Sequence, residues 1–345
     1  MTRIVLKAAT GTCRIHAAKP VAELRRVLRG RSCAVVMDRN VRRFHGGPFR
    51  DWPIVEIGTG ERAKTLRTVE RVYERFLELG LDRSSWVVGV GGGIVCDVAA
   101  FAAATFLRGL RFGLVPTTLV AQADASIGGK NGVNIHGFKN MVGTFRQPDF
   151  VWLDHSLLGT LPAVEIRCGA AEVVKHGLIA RPSLFSFLER EWRGFLGLDQ
   201  AVISRAVLES IEIKSAIVGK DEKENGRRRI LNFGHTVGHA LERTGRLRHG
   251  EAVSIGMVLA SRISAARGMI AGDVTDRVEN LLRNLGLPTR VPDIDFTAAL
   301  HKDKKRRDEE IRFVLLAGIG RAEVVSLPIA EIKELIHDMR QHRNT

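Results

Sequence analysis

Along the first 150 residues, short runs of apolar residues alternate with longer stretches in which apolar residues recur every three or four positions. The runs predict strands that are buried on both faces. The stretches predict helices, because a period of three to four residues places apolar side chains on one face of a helix. The predicted strands are 33–38, 53–58, 86–90 and 112–115, and the predicted helices are 64–80 and 94–107. Such alternation is typical of a parallel sheet that helices cover on both faces.

After about residue 155 helical periodicity dominates, with one late strand-like run at 312–316. The predicted helices of this part are 163–179, 183–195, 201–218, 231–243, 251–266 and 271–285. We therefore predict two domains. The first is an α/β, Rossmann-like nucleotide-binding domain over residues 1–155, and the second is an all-α domain over residues 156–345.

The composition narrows the class of protein. Of the 345 residues, 45% are hydrophobic and 26% are charged, which excludes a disordered tail or a fibre. The four cysteines form no paired motif, which favours a reducing compartment. No apolar stretch reaches the roughly 18 residues that a spanning helix needs. We therefore expect a cytoplasmic protein with no membrane partner.

The chain carries 53 Lys and Arg against 38 Asp and Glu, a net charge of +15 at pH 7. Such a charge attracts phosphate groups, whether they belong to a nucleic acid or to a small metabolite. The basic residues form short clusters at 42–43, 227–229 and 302–307, without interleaved aromatic residues or a nucleic-acid-binding motif. We expect a small anionic substrate and no nucleic-acid partner; a solvated basic surface is the simpler interpretation of the clusters.

A glycine-rich stretch, Gly89 to Asp97, follows directly on the strand at 86–90 and opens the next helix. Backbone N–H groups at the start of a helix suit a pyrophosphate. The usual dinucleotide fingerprint fails, however, because Ile94 stands where it needs a glycine. Both a phosphate cradle and a tightly packed turn therefore stay open for this stretch.

Charged and amide side chains crowd into the glycine-rich segment that follows the strand at 112–115. They are Asp124, Lys130, Asn134, Lys139 and Asn140. Ligands of open parallel sheets bind at the carboxyl ends of the strands, and two lysines there indicate an anionic ligand. A polar surface loop is the alternative.

Two lysines fall on mostly apolar helices. Glu172 and Lys175 are one turn apart, which fits an ordinary ion pair as well as a site. Lys214 lies on the apolar stripe of the helix at 201–218, and burying an ammonium without a partner is costly. Either the side chain extends so that its ammonium reaches solvent, or Lys214 faces an anionic site. We predict the site.

The histidines give the strongest pattern. His235 and His239 share one helix face, and His249 follows ten residues after His239. With Glu172 from another helix, three ligands of the nitrogen and oxygen type are available, which is the pattern of a catalytic zinc site with an open position. The spacing does not decide which histidines bind.

Taken in order along the chain, these motifs resemble those of the 3-dehydroquinate synthases, members of the sugar phosphate cyclase superfamily. The resemblance covers nearly the whole chain and rests on residues 91–97, 108–109, 116–118, 124–130, 139–140, 171–175, 214, 232–239, 249–251 and 303–305. It implies a bound NAD, one divalent metal (Zn or Co) and conversion of 3-deoxy-D-arabino-heptulosonate 7-phosphate to 3-dehydroquinate and phosphate. That reaction belongs to the shikimate pathway of aromatic amino acid biosynthesis. We also expect the protein to be a homodimer.

The resemblance also implies roles for individual residues. The metal ligands would be Glu172, His235 and His249. The NAD contacts would be Asp38, Asn40, Glu61, Lys64, Gly92, Gly93, Asp97, Thr117, Thr118 and Lys139. The catalytic residues would be Lys130, Lys175, Lys214, Arg228, Asn232 and His239. Further substrate contacts would be Arg108, Asp124, Asn140 and Lys305, with Lys304 the alternative to Lys305.

Some positions depart from the family pattern: Cys96 and Ala100 replace common glycines, Asn131 a threonine and His176 a tyrosine. None of them is a predicted metal ligand, but they leave open a related cyclase that acts on an aminated or other heptulose phosphate. Two further alternatives are a metal-dependent NAD alcohol dehydrogenase of the glycerol dehydrogenase type and a basic nucleic-acid-binding protein without activity.

Overall fold

The computed structural model describes residues 3–293, 306–307 and 310–341. The chain divides into two compact units, Met1–Glu165 with Lys214–Lys223, and Ile166–Ile213 with Glu224–Thr345. The strands are β1 (Arg3–Ala8), β2 (Gly11–His16), β3 (Cys33–Asp38), β4 (Ile54–Ile57), β5 (Trp86–Gly91), β6 (Arg111–Pro116), β7 (Lys130–Ile135), β8 (Phe138–Phe145), β9 (Phe150–Trp152), β10 (Arg306–Arg307), β11 (Glu310–Gly318) and β12 (Arg321–Pro328). The helices are α1 (Leu24–Leu28), α2 (Arg39–His45), α3 (Leu66–Glu78), α4 (Gly93–Thr105), α5 (Ala163–Ala180), α6 (Pro182–Leu196), α7 (Gln200–Lys220), α8 (His235–Glu242), α9 (His249–Ala266), α10 (Gly272–Asn284) and α11 (Ile329–Gln341).

The first unit is built on a seven-stranded sheet in the order β1-β2-β9-β6-β5-β3-β4. All neighbours pair in parallel except β1 and β2, which are antiparallel. Every residue of β5 is buried, as a central strand covered on both faces requires. Helix α4 packs against β5 and β6. Its buried residues include two valines and four alanines, whose small side chains let helix and sheet approach closely. The predicted Rossmann-like α/β architecture is confirmed.

Two hairpins of this unit were not predicted. The strands β1 and β2 pair through a tight turn, and β7 pairs with β8 through a turn in which His136 and Gly137 both have positive φ. Most of β8 is exposed, so its sequence lacks the apolar alternation of a half-buried strand. From Lys130 onward, the polar segment for which a surface loop was the alternative to an anion site therefore forms a two-stranded sheet.

The second unit is mainly helical, as predicted, and it also contains the small antiparallel sheet β10-β11-β12. The predicted strand at 312–316 lies inside β11, which pairs with β12. The predicted helix at 231–243 was wrong at its start. Residues 227–232 form a 3₁₀ turn, and α8 begins only at His235, because Gly234 adopts a left-handed conformation with φ of 76°.

Among the described residues, no helix combines the length and the apolar character that crossing a membrane requires. The functional division at residue 155, between a NAD-binding and a metal-binding domain, stays a prediction, since the two units are defined by packing and not by ligands.

Candidate active site

Three side chains of the metal-ligand type converge within the second unit. Glu172 lies on α5, His235 begins α8 and His249 begins α9. The Nε2 atoms of His249 and His235 lie 3.0 and 3.4 Å from the same Oε1 atom of Glu172. The ligand atoms of all three residues lie within 4.8 Å of one another. Two imidazoles and a carboxylate at this separation could hold a divalent cation and leave a coordination position for a substrate.

The ring nitrogens that face away from Glu172 also have partners. The Nδ1 atom of His235 lies 3.0 Å from the carbonyl oxygen of Phe233. A carbonyl can only accept, so Nδ1 carries the hydrogen and Nε2 keeps the lone pair that a metal needs. The Nδ1 atom of His249 lies 3.5 Å from Oε2 of Glu242. Both imidazoles are therefore oriented by a second partner, as metal-binding histidines usually are.

The charges around the cluster favour the forms of Glu172 and His235 that can bind a metal, which are the carboxylate and the neutral imidazole. Glu172 is fully buried, and the buried Lys175 ammonium donates a hydrogen bond to it. Burial acts to raise the pKa of Glu172, but the charge of Lys175 and the two imidazoles hold that pKa well below its usual range. Burial and the charge of Lys175 lower the pKa of His235. Burial also acts to lower the pKa of His249, but hydrogen bonds to Glu172 and Glu242 raise it to about 10. His249 must therefore lose a proton before it can bind a metal.

Glycines bring these helices close enough for the three side chains to meet. A Cβ atom at Gly250 would lie 2.3 Å from Cα of Cys168 on α5, and one at Gly256 would lie 1.9 Å from the carbonyl oxygen of Gly234. A Cβ at Gly238 would lie 3.2 Å from backbone atoms of α9. The glycines around the histidines thus let backbone pack on backbone, which places His249 beside Glu172 and α8 against α9.

We expect Glu242→Gln to weaken metal binding about 10- to 100-fold, because the substitution removes the negative charge that orients His249. The metal affinity, measured by competition with a chelating dye, checks this expectation. Glu251→Gln is the matched control, since Glu251 lies near the same helix start but accepts a hydrogen bond from the backbone of Arg248 at 2.8 Å. Equal metal affinities for Glu242→Gln and the wild type would contradict the orienting role.

In the first unit, three adjacent parallel strands end at one edge of the sheet. Asp38 ends β3, Gly92 and Gly93 follow β5 at the start of α4, and Thr117 and Thr118 follow β6. A Cβ atom at Gly92 would lie 2.9 Å from the side chain of Thr118, so the turn has no room for a larger residue. The N–H groups at the start of α4, beside this glycine backbone, fit the pyrophosphate of a dinucleotide.

Polar contacts connect other predicted NAD residues around this edge. Lys64 and Asp97 form an ion pair, in which burial raises the pKa of Asp97 against the effect of the lysine. Asn134 links two segments: its side chain donates to Glu61 at 2.7 Å and accepts from the backbone N–H of Asn140 at 2.9 Å. Its own N–H donates to the carbonyl of Lys64 at 2.9 Å. The predicted residues 61–64 and 139–140 are thus held together.

Lys214 is buried, as the apolar stripe predicted, and its ammonium binds Asp124. It donates to the carbonyl oxygen of Asp124 at 2.7 Å and lies 2.9 Å from its Oδ1 atom.

Other predicted site residues of the first unit are exposed. Lys130 begins β7 and is exposed. Arg108 is also exposed, and its backbone has a φ of 64°. Asn40 on α2 and Lys139 on β8 are also exposed.

Three other predicted residues of the second unit lie near Glu172, His235 and His249. His239 is close to the two histidines in space, and Arg228 and Asn232 shortly precede His235 in the sequence. The His239 ring lies 5.3 Å from that of His235 and 6.4 Å from that of His249, yet His239 is not among the three converging ligands. Arg228 is buried in the turn at 227–232, and the side chain of Asn232 donates a hydrogen bond to Glu224. Lys305 and its alternative Lys304 lie outside the described residues.

Sequence reasoning missed Glu242. Its signal was present, since His235, His239 and Glu242 stand at positions i, i+4 and i+7 and therefore share one helix face. The sequence places Asn134 in a polar segment, but no local pattern shows that it links residues 61–64 to the β7–β8 hairpin.

Solved structures identify the class of this fold, which is that of the sugar phosphate cyclases. The chain matches 2-epi-5-epi-valiolone synthase from Streptomyces hygroscopicus subsp. jinggangensis, with NAD+ and Zn2+ bound, at a TM-score of 0.87 and 27% identity, over 99% of this chain and 98% of that one. It also matches a 2-deoxy-scyllo-inosose synthase complexed with carbaglucose-6-phosphate, NAD+ and Co2+ at a TM-score of 0.87 and 25% identity, over 98% of this chain and all of that one.

Sequence comparison narrows the class to one family. Residues 54–168 match the family model of the 3-dehydroquinate synthase N-terminal part, and residues 169–306 match that of the C-terminal part. A 3-dehydroquinate synthase of Geobacter metallireducens is 44% identical over 312 residues, which are 86% of this chain and 87% of the relative. The chain belongs to the 3-dehydroquinate synthase family. These relatives support the predicted activity, and none of the comparisons favours the alternatives.

Proposed function

We propose that the chain converts 3-deoxy-D-arabino-heptulosonate 7-phosphate to 3-dehydroquinate and phosphate, as a carbon–oxygen lyase of the shikimate pathway. The observation that carries this proposal is the convergence of Glu172, His235 and His249, with both Nε2 atoms facing one carboxylate oxygen. Family membership supplies the substrate class, and the three ligands supply a site for the divalent metal that the reaction needs.

The donor sets of the two units fit the two expected groups. The buried Glu172 and the two oriented imidazoles suit Zn²⁺ or Co²⁺, and the glycine turn at Gly92 and Gly93 suits NAD. When bound, NAD supplies a reversible hydride acceptor and the metal supplies a Lewis acid for a substrate oxygen.

The chain's own residues bind and orient a substrate that carries both a carboxylate and a phosphate. Lys175 keeps Glu172 ionised, so the carboxylate is ready as a ligand at neutral pH. Arg228 and Asn232 belong to one turn, which Gly234 connects to His235. We assign Lys130, Lys214, Arg228 and Asn232 to the anionic groups of the substrate and His239 to the substrate side of the metal ligands, with Arg108, Asp124 and Asn140 as further contacts. Holding the substrate in one conformer favours ring closure through proximity.

The activity is tested with heptulosonate phosphate, NAD and a divalent metal. We expect release of inorganic phosphate without net accumulation of NADH, because the hydride is returned within each turnover. Mass spectrometry of the product distinguishes dehydroquinate from other cyclic products. Steady accumulation of NADH would instead indicate an alcohol dehydrogenase, and the proposal would be abandoned.

We expect Lys214→Ala to lose at least about 100-fold in turnover, since one buried cation near the bound anion is removed. The affinity for NAD, measured by quenching of tryptophan fluorescence, should change little. Lys220→Ala is the matched control, because Lys220 is exposed at the end of the same helix. Weakened NAD binding with normal turnover would assign Lys214 to the cofactor instead of the substrate.

A homodimer and a cytoplasmic location complete the proposal. The four cysteines are all free and buried, which suits a reducing compartment. Sedimentation of the purified chain tests the dimer directly.

A further inference from the structure

A groove with a volume of about 440 Å³ lies in the second unit, between the turn at 227–232 and the strands β11 and β12. Three arginines line it, two from the turn and one from β11: Arg227, Arg229 and Arg312. Ser326, which pairs with Arg312 across the sheet, and Glu323 also line it. This set of residues plays no part in the proposed reaction.

Three guanidinium groups line this groove, and its described lining also contains the carboxylate of Glu323. In the described part of the chain, none of them has a carboxylate at ion-pair distance or donates a side-chain hydrogen bond. Two other arginines of the same unit do have carboxylate partners: Arg267 and Arg277 each form a bidentate ion pair with a glutamate. Concave surfaces with an excess of one sign of charge concentrate ligands of the opposite sign.

The groove does not include Arg228, the residue of this turn that is predicted to bind the substrate. Arg228 is only 3% exposed and does not line the groove, whereas Arg227 and Arg229 on either side of it do. The turn thus buries Arg228 in the protein, while Arg227 and Arg229 line the groove.

The lining identifies the chemistry of a ligand. Three arginines against one glutamate leave two positive charges, which match a phosphate dianion, and the planar guanidinium donates paired hydrogen bonds to phosphate oxygens. Ile230, Val324 and Val325 add apolar surface for a carbon skeleton. The volume falls in the range of about 300–1,000 Å³ that small-molecule sites occupy. We propose that this groove binds a phosphate monoester with a small organic body.

The test measures binding of ribose 5-phosphate to the metal-loaded full chain by calorimetry at low salt. We expect Arg229→Gln/Arg312→Gln to weaken the groove's affinity by at least about 10-fold, since charge-assisted hydrogen bonds are lost. The control is Arg67→Gln/Arg71→Gln, which removes the same charge from exposed positions on α3 and should stay within about twofold of the wild type. Equal losses in both variants, or none in the groove variant, would overturn the proposal.

Hydrogen exchange separates the groove from the candidate active site, which is expected to bind sugar phosphates as well. Ribose 5-phosphate should protect residues 226–230 and 321–326 in the wild type and not in the groove variant. The single variant Arg227→Gln, at an exposed position, repeats the test should the double variant fail to fold. Absence of protection at saturating ribose 5-phosphate, or binding of inorganic phosphate as tight as that of the ester, would contradict the assignment.

Discussion

His235→Ala is expected to abolish metal binding and turnover while the fold survives. Structural zinc sites are worth about 10–16 kcal/mol, so losing one of three protein ligands should cost about 4 kcal/mol, or about 10³-fold in affinity. The fold should persist because Glu172 keeps its ion pair with Lys175, and because alanine is a good helix former at the start of α8. Metal content after dialysis, circular dichroism and phosphate release measure the three parts of this expectation.

His239→Ala is the matched control for that experiment. His239 lies on the same helix, one turn from His235, but it is not among the three converging ligands. It should retain stoichiometric metal and lose activity only through its predicted contact with substrate. Full activity and full metal content in His235→Ala would refute the assignment of this cluster as the metal site, whereas metal loss in both variants would show that His239 is also a ligand.

The buried strands were the part of the fold that the sequence predicted best. The runs at 33–38 and 86–90 are apolar because their strands are covered on both faces, and the observed strands β3 and β5 coincide with them within a residue. Local periodicity carried no such signal for β8, whose residues are mostly exposed. It also could not show where α8 begins, because that depends on the left-handed conformation of Gly234.

In the candidate active site, too, local sequence patterns predicted some features and not others. The spacing of His235, His239 and His249 indicated a metal, but the choice among them came from resemblance and not from spacing. The structure adds what spacing could not contain: both Nε2 atoms face the one oxygen of Glu172. This convergence brings α5 to the consecutive helices α8 and α9, which lie more than 50 residues further along the chain, and the close approach depends on glycines at the contacts.

Gly256→Ala is expected to destabilise the protein, although the same change in the middle of an ordinary helix stabilises it by up to about 1 kcal/mol. The added Cβ would lie 1.9 Å from the carbonyl oxygen of Gly234 and 2.8 Å from its carbonyl carbon. Backbone atoms cannot rotate away as a side chain can, so α8 has to move from α9. Overpacking of this kind costs about 1–3 kcal/mol, and we expect a net loss near the upper end of that range.

The displacement of α8 carries His235 with it, so Gly256→Ala should also weaken metal binding, by at least about 10-fold, although residue 256 is not itself a predicted metal ligand. Urea unfolding and chelator competition measure the two effects. Gly272→Ala is the control, because a Cβ at Gly272, the first residue of α10, meets no atom within 4 Å. A stable Gly256→Ala protein with wild-type metal affinity would show that α8 and α9 can separate without disturbing the cluster, and that the glycine contact does not build the site.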